Sequence, residues 1–160
     1  MEKPCNASEI AKILGKPWSM KKVVDSADRI LPEAESEALS GQGSRRKYGF
    51  KNLVQFRIYD VLRVWGYPRG YIKNVLRNID KEIANDARVS GFYSSNERRD
   101  KEWFLITTEV VGKKRVTIIL EYDRGVPIQI DPAEKVIGHF MVNISAIKRE
   151  LNETIKELGL

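Results

Sequence analysis

The apolar residues follow a helical pattern over most of the first half of the chain and a strand-like pattern over much of the second half. The most regular stretch has apolar residues mostly three and four positions apart, at Leu53, Phe56, Ile58, Val61, Leu62 and Trp65. This spacing predicts a helix with one broad apolar face. Gly66 and Pro68 predict the end of this helix and the start of another. The inward residues of the second helix are Ile72, Val75, Leu76 and Ile79.

Two shorter helices are predicted before this stretch. Asn6 and Glu9 have the spacing of a capping box, which starts a helix that Gly15 ends. Its apolar residues are Ile10, Ala11, Ile13 and Leu14. A second helix is predicted from near Trp18 or Ser19, with apolar residues Met20, Val23, Val24 and Ala27. Two short helices joined by a tight turn match a helix-turn-helix, whose second helix can lie in the major groove of DNA.

The second half of the chain predicts strands and one closing helix. Runs of β-branched and aromatic residues predict strands at 103–111, 116–122 and 136–144, and a short edge strand at 126–130. A helix is expected from about Ser145, its cap, to Leu158. Its narrow apolar row consists of Ile147, Leu151, Ile155 and Leu158. This row either lies on the small sheet or meets a partner subunit.

These elements predict an α+β fold in two parts. Residues 1–84 form a mostly helical N-terminal domain, and residues 103–160 form a small α+β domain of three to four strands and a C-terminal helix. Residues 85–102 are polar and turn-prone, which predicts a linker or an exposed loop. The sequence has 42% hydrophobic and 31% charged residues and no apolar run long enough for a membrane span, so a cytoplasmic protein without a membrane partner is expected. The single Cys5 excludes an intramolecular disulfide.

The basic excess lies entirely in the first half. Residues 1–84 contain 16 Lys and Arg against 10 Asp and Glu, whereas residues 85–160 contain 12 of each. The whole net charge of +6 is therefore N-terminal. Such an asymmetry favours an anionic partner for the first half, of which double-stranded DNA is the leading candidate.

Three groups of residues are candidates for contacting DNA. Ser19, Lys21 and Lys22 lie near the start of the second helix and can reach bases or phosphates. The connection 31–44 is interpreted as the start of a wing, with Arg45, Arg46 and Lys47 at its basic tip and Tyr48 beside them. Arg69, Lys73 and Arg77 recur every four residues and form a basic stripe on one helix face. A solvated surface is the simpler explanation of such a stripe, but a neighbouring basic loop favours a shared phosphate backbone.

This order of elements resembles the MerR family of bacterial transcription regulators over about the first 80 residues. The residues that carry the resemblance are Glu9-Ile10-Ala11, Leu14-Gly15, Asp25, Ile30-Leu31-Pro32, Arg46-Lys47-Tyr48, Leu53, Leu62, Gly66 and Ile72. The resemblance implies a winged helix-turn-helix that binds operator DNA as a dimer. It also implies that Lys22 replaces a customary arginine and that Arg46 corresponds to the wing arginine.

Two features depart from that family. Val23-Val24 stands where the family commonly has an aromatic pair, and the long coiled-coil helix that usually follows is missing from the pattern. We therefore expect a cytoplasmic regulator that dimerises through its C-terminal half. The alternatives are an antitoxin, a phage or plasmid accessory DNA-binding protein, or a protein-interaction module that does not bind DNA.

No motif in the sequence indicates catalysis. The single histidine, His139, falls in a predicted strand, where a structural role is expected. The sequence contains no phosphate-binding glycine loop, metal-ligand spacing or nucleophile motif, so no enzyme activity, cofactor or metal is predicted. The C-terminal half could bind a second protein or a small-molecule effector. Trp103, Phe104, Tyr122 and Phe140 could line an effector pocket, although aromatic residues in strands usually form core.

Overall fold

The computed structural model describes residues 4–31, 46–96, 101–110, 116–123 and 136–160. The α-helices are α1 (Ala7–Leu14), α2 (Met20–Ile30), α3 (Phe50–Val64), α4 (Arg69–Asn85) and α5 (Ile144–Glu157), and a 3₁₀ helix spans Ala87–Tyr93. The strands are β1 (Lys101–Val110), β2 (Val116–Asp123) and β3 (Val136–Asn143). They form an antiparallel sheet in the order β2-β1-β3. The expected mixture of helices and an antiparallel sheet is confirmed in this general form.

Helices α1 and α2 begin as the sequence predicts. The Asn6 Oδ1 accepts hydrogen bonds from the backbone N–H groups of Ser8 and Glu9, and the Glu9 carboxylate accepts from the Asn6 N–H at 2.8 Å. Gly15 ends α1 with φ of +70°, a conformation that glycine adopts without strain. The Ser19 Oγ accepts from the Lys22 N–H at 3.2 Å, so Ser19 caps α2.

Only one edge of α2 is buried. Val23, Ala27 and Ile30 lie in the core, whereas Met20 is 60% exposed and Val24 is 36% exposed. Two of the four apolar residues expected on α2, Met20 and Val24, therefore lie outside the core. Residues 20 and 24 form one row along the helix and residues 23 and 27 form another, and only the second row meets the core.

Helix α3 is the centre of the structure. It is buried on most sides, including the predicted positions Leu53, Phe56, Ile58 and Leu62. Two polar side chains, Asn52 and Gln55, are also buried. Asn52 accepts from the Gly49 N–H at 3.0 Å and donates to Gln55 at 3.2 Å, and Gln55 donates to the Asp80 carboxylate at 3.3 Å. These bonds satisfy the buried amides, and α4 packs alongside with its four predicted apolar residues buried.

Part of the predicted linker belongs to the core. The 3₁₀ helix lies within residues 85–102, and it buries Phe92 and Tyr93 instead of forming an exposed loop. The Phe92 ring meets the ring of Trp103 edge-on, with their centroids 6.0 Å apart. Burial of these two adjacent aromatic rings is favourable in free energy, which explains why this mostly polar segment packs against the core. One hydrophobic cluster extends from Cys5 to Ile155 and includes residues of both predicted domains, whose division stays a prediction.

Helix α5 is held against the inner face of the sheet. Asn143 caps it by accepting from the Ala146 N–H at 2.9 Å, whereas the expected cap, Ser145, accepts from the backbone N–H of Trp103 at 2.9 Å. Of its apolar row, Ile147, Leu151 and Ile155 are buried within the chain and Leu158 is 44% exposed. The row therefore serves the protein's own core. It is not available as the main surface for a partner subunit.

Three predicted features lie outside the described residues. They are the short edge strand at 126–130, the wing connection at 32–44 and the Arg45 side chain. Within the residues that are described, no helix has both the length and the apolar composition needed to cross a membrane.

Candidate nucleic-acid interface

A shallow, basic depression lies between α2 and the start of α4. Its volume is about 260 Å³. It is lined by Ser19, Lys21, Lys22, Asp25, Ser26, Arg29, Ile30, Tyr59 and Arg69. The fold thus brings Ser19, Lys21 and Lys22, which the sequence places on α2, together with Arg69 of α4. Lys73 and Arg77 continue along α4 and do not line this depression.

Trp18 fixes the first turn of α2 beside this depression. Its indole is 7% exposed, its ring lies 5.1 Å from that of Phe56, and its Nε1 donates to the Asp60 carboxylate at 2.6 Å. Trp18 is therefore a core residue. The Lys22 ammonium lies 4.5 Å from the centre of the indole, a cation–π contact that orients this side chain.

The Asp60 carboxylate is half-buried beneath the same turn. Burial raises its pKa, and the hydrogen bond from Trp18 and the nearby charge of Lys22 act in the opposite direction. The carboxylate therefore depends on Trp18 for its hydrogen bond. This arrangement couples the central helix α3 to the exposed start of α2.

The cations around the depression are only partly offset by two nearby carboxylates, Asp25 in its lining and Asp60, which interacts with Lys22. In the described part of the chain, Lys21, Lys22, Arg29 and Arg69 make no ion pair, and neither do Lys73 and Arg77. Elsewhere cations are paired, as in Lys51 with Asp80 at 3.2 Å and Arg57 with Glu150 at 2.5 Å. Among the described residues that line the depression, four cations outnumber one carboxylate, and this excess gives the surface a positive potential that favours anions.

The opposite flank of α2 has a different character. A broader concave surface of about 750 Å³ is lined by Asn6, Ala7, Ser8, Met20, Val24, Asp28, Arg46 and Tyr48. The Arg46 guanidinium is ion-paired with the Asp28 carboxylate, a contact that raises the pKa of Arg46. The predicted wing arginine therefore lies against α2, and its charge is offset there.

Of the other predicted wing residues, Tyr48 is placed differently from the expectation. Its side chain is 1% exposed and its ring lies 6.1 Å from that of Phe56. Its backbone also exchanges two hydrogen bonds with Cys5, at 2.8 and 2.9 Å. Tyr48 thus anchors this segment in the core and cannot offer its side chain to DNA in this structure. Lys47 beside it is exposed.

Two residues at the site were missed by the sequence reasoning. Arg29 follows Lys22 by seven residues, a spacing that returns to the same side of a helix and could have revealed it. Asp60 gave no comparable signal, because a lone carboxylate on an amphipathic helix does not indicate what its side chain meets across the fold.

The four aromatic residues considered for an effector pocket do not line one cavity. Strand alternation places Trp103 and Phe140 on one face of the sheet, and Phe104 and Tyr122 on the other. Phe140 instead meets the ring of Trp65, with the centroids 5.4 Å apart. Across the described ranges, no three His, Cys, Asp or Glu residues lie close enough together to hold a metal ion.

Comparison with models of known protein families gives no match to this chain, and comparison with curated proteins gives no similar sequence.

Proposed function

We propose that the protein binds double-stranded DNA through the exposed side of α2 and the basic start of α4. The observation that carries this proposal is the group of unpaired cations around the depression between these helices. Lysine and arginine side chains without internal partners can neutralise phosphates, and the release of counterions from DNA drives such binding.

In this proposal α2 acts as the recognition helix of a MerR-like winged helix-turn-helix. Lys22, Arg29 and Arg69 contact phosphates along one strand, and Lys73 and Arg77 extend this contact along α4. Ser19 and Lys21 lie at the exposed start of α2, from which side chains reach base edges in helix-turn-helix proteins. Support comes from the two capped helices and from the short turn with Gly15 that joins α1 to α2.

The proposal includes a regulatory role as a dimer, because one such unit covers only a short half-site. The dimer needs a surface other than the buried row of α5. The partly exposed rings of Trp65 and Phe140 meet with their centroids 5.4 Å apart, where the end of α3 meets β3. The same exposed group favours a second candidate function, a protein-interaction module. In that case a different polypeptide covers this surface.

The test is fluorescence anisotropy with DNA taken from upstream of the protein's own gene and with a scrambled duplex, at about 50 to 300 mM salt. The affinity should fall steeply with salt. Arg29→Ala and Arg69→Ala should each reduce the slope of log affinity against log salt by about 1. A regulator should prefer the upstream DNA by about a thousandfold or more.

Lys156→Ala is the matched control, because Lys156 is an exposed lysine on α5. It should leave the slope unchanged. If neither duplex binds at the lowest salt, the DNA-binding proposal fails. Sedimentation at micromolar concentration tests the dimer separately. A monomer that still binds one half-site would contradict the proposed dimer and leave the proposed DNA binding standing.

A further inference from the structure

Met20 and Val24 give α2 an exposed apolar row beside its basic flank. Met20 is 60% exposed and Val24 is 36% exposed, and both line the concave surface shared with α1 and Arg46. Neither residue is needed by the core, which takes Val23, Ala27 and Ile30 from the same helix. This row lies next to Lys21 and Lys22, and because the core does not use it, it is available for a contact outside the monomer.

The charge on this flank argues against a phosphate contact. Among the described residues that line it, the two charged ones, Asp28 and Arg46, form an ion pair with each other. The Asn6 side chain is already occupied as the cap of α1. The surface next to Met20 and Val24 is therefore concave, largely apolar and nearly neutral, unlike the cationic surface on the other side of α2.

The major groove of DNA offers one apolar group that suits such a surface. Thymine presents its C5-methyl group there, and apolar side chains contact it in direct readout. Lys21 lies on the exposed side of α2 between the two flanks. One duplex can therefore place its phosphates at the basic flank and its base edges at the apolar flank. The cationic flank thus suits the phosphates of a duplex, and the apolar flank suits the methyl groups of its thymines.

We infer that Met20 and Val24 determine sequence specificity by contacting thymine methyl groups in the major groove. This inference rests on the proposed DNA-binding function. It identifies the bound sequence as one with thymines facing the N-terminal half of α2, and it assigns discrimination to two residues that carry no charge.

The experiment compares thymine with uracil, which lacks only the C5-methyl group. Duplexes are first enriched from a pool with a random core by binding to the full-length protein. The winning duplex is then made with deoxyuridine in place of thymidine. Loss of each contacted methyl group should weaken binding about fourfold, so two contacts predict a loss of roughly tenfold or more.

The same comparison is made with Met20→Ala and Val24→Ala in one variant. Alanine is a good helix former at exposed positions, so the fold should be kept. This variant should bind the thymine duplex about as weakly as the wild type binds the uracil duplex, and it should no longer distinguish the two. Val64→Ala, which truncates an 83% exposed side chain on α3, should keep the full discrimination.

Two outcomes overturn the inference, and they are distinguishable. If the protein binds the enriched duplex with a steep salt dependence but the wild type does not distinguish thymine from uracil, the methyl contact is absent and the DNA-binding function stands. If no duplex is enriched and none binds at low salt, both proposals fail together.

Discussion

Helices α2 and α3 carry their polar residues into opposite environments. On α3, the buried Asn52 and Gln55 side chains are hydrogen-bonded, and the half-buried Asp60 accepts from Trp18. On α2, Lys21 and Arg29 find no ionic partner in the described part of the chain. A polar group in the interior must be paired because its desolvation is costly, whereas an exposed cation without a partner costs the fold little. The polar residues of α3 therefore stabilise the fold, and those of α2 remain available for binding.

The largest expected effect is the loss of a core side chain on α3. Phe56 is fully buried and its ring meets that of Trp18. Phe56→Ala should lower the free energy of unfolding by about 3–5 kcal/mol, because it removes apolar contacts and leaves a cavity. Urea denaturation measures this change. Val64→Ala on the same helix is the control, because Val64 is 83% exposed, and a change within about 0.5 kcal/mol is expected. Equal losses in both variants would contradict the central position of α3.

Charge reversal on the α2–α4 surface should weaken DNA binding strongly and change the folding stability little. Lys21→Glu combined with Arg69→Glu should weaken DNA binding by roughly a hundredfold at low salt, because two cations beside the DNA become anions that repel its phosphates. Both positions lie in the first turn of a helix, where glutamate is favourable, so the melting temperature should change little. Anisotropy and thermal unfolding measure the two effects. Lys156→Glu should leave the affinity almost unchanged, and a comparable loss there would indicate binding by net charge alone.

Trp18→Phe tests the contact that joins the two helices. Phenylalanine keeps most of the ring packing but removes the donor to Asp60, which should cost about 1–3 kcal/mol of folding stability at neutral pH. Burial already raises the pKa of Asp60, so its charged form is the unfavourable one in the folded state. A carboxyl group whose pKa is raised by folding contributes stability that is fully present below its pKa in the unfolded state. This stability is lost as pH rises. The cost of the substitution should therefore shrink as pH falls.

Urea denaturation of the wild type and Trp18→Phe at neutral pH and at about pH 4 provides the measurement. An equal loss of unfolding free energy at both pH values would mean that the indole stabilises the fold through packing rather than through its hydrogen bond to the Asp60 charge.

Local signals made much of the fold predictable from the sequence. The capping box at Asn6, the stop at Gly15 and the apolar spacing in α3 and α4 each depend on residues close in the chain, and the structure has these elements. The strand patterns likewise predicted β1, β2 and β3 within a few residues. Periodicity sufficed here because each of these elements has a clear apolar face.

Contacts between distant segments were not predictable in the same way. The role of Ser145 as acceptor for the Trp103 N–H, the burial of Phe92 and the pairing of Arg46 with Asp28 all depend on how elements meet in three dimensions. At the candidate interface, the sequence identified Lys21, Lys22 and Arg69 as basic. It could not indicate that Tyr48 anchors the core.

Asp80→Asn should flatten part of the pH dependence of stability. Burial raises the pKa of Asp80, and the Lys51 charge opposes that shift. Its contribution to stability is present at low pH and is lost as pH rises above about 4. Asparagine can still accept from Gln55, so stability at neutral pH should change by no more than about 1 kcal/mol.

Asp86→Asn is a useful control, because the Arg88 hydrogen bond lowers the pKa of Asp86 and gives the opposite sign. That variant should leave the loss of stability with rising pH intact. Denaturation profiles across pH test both, and a wild-type loss that persists in Asp80→Asn would show that Asp80 is not its source.

The smallest expected effect comes from Arg46, the predicted DNA-contacting arginine that is paired within the described residues. Asp28 offsets the charge of Arg46, and both side chains are partly exposed, so the pair itself contributes little to folding. Asp28→Asn removes a negative charge from the surface that faces DNA in our proposal and leaves the Arg46 charge uncompensated. Binding should therefore tighten by about threefold at low salt, and the gain should shrink at high salt as screening increases. Asp123→Asn is the matched control, because Asp123 also forms an exposed pair, with Lys101 on the sheet. If Asp28→Asn weakens binding while Asp123→Asn does not, Asp28 must hold Arg46 in the orientation that DNA requires. The ion pair would then belong to the binding surface. In that case the contrast between α2 and α3 would weaken, because a paired charge on α2 would also be needed for binding.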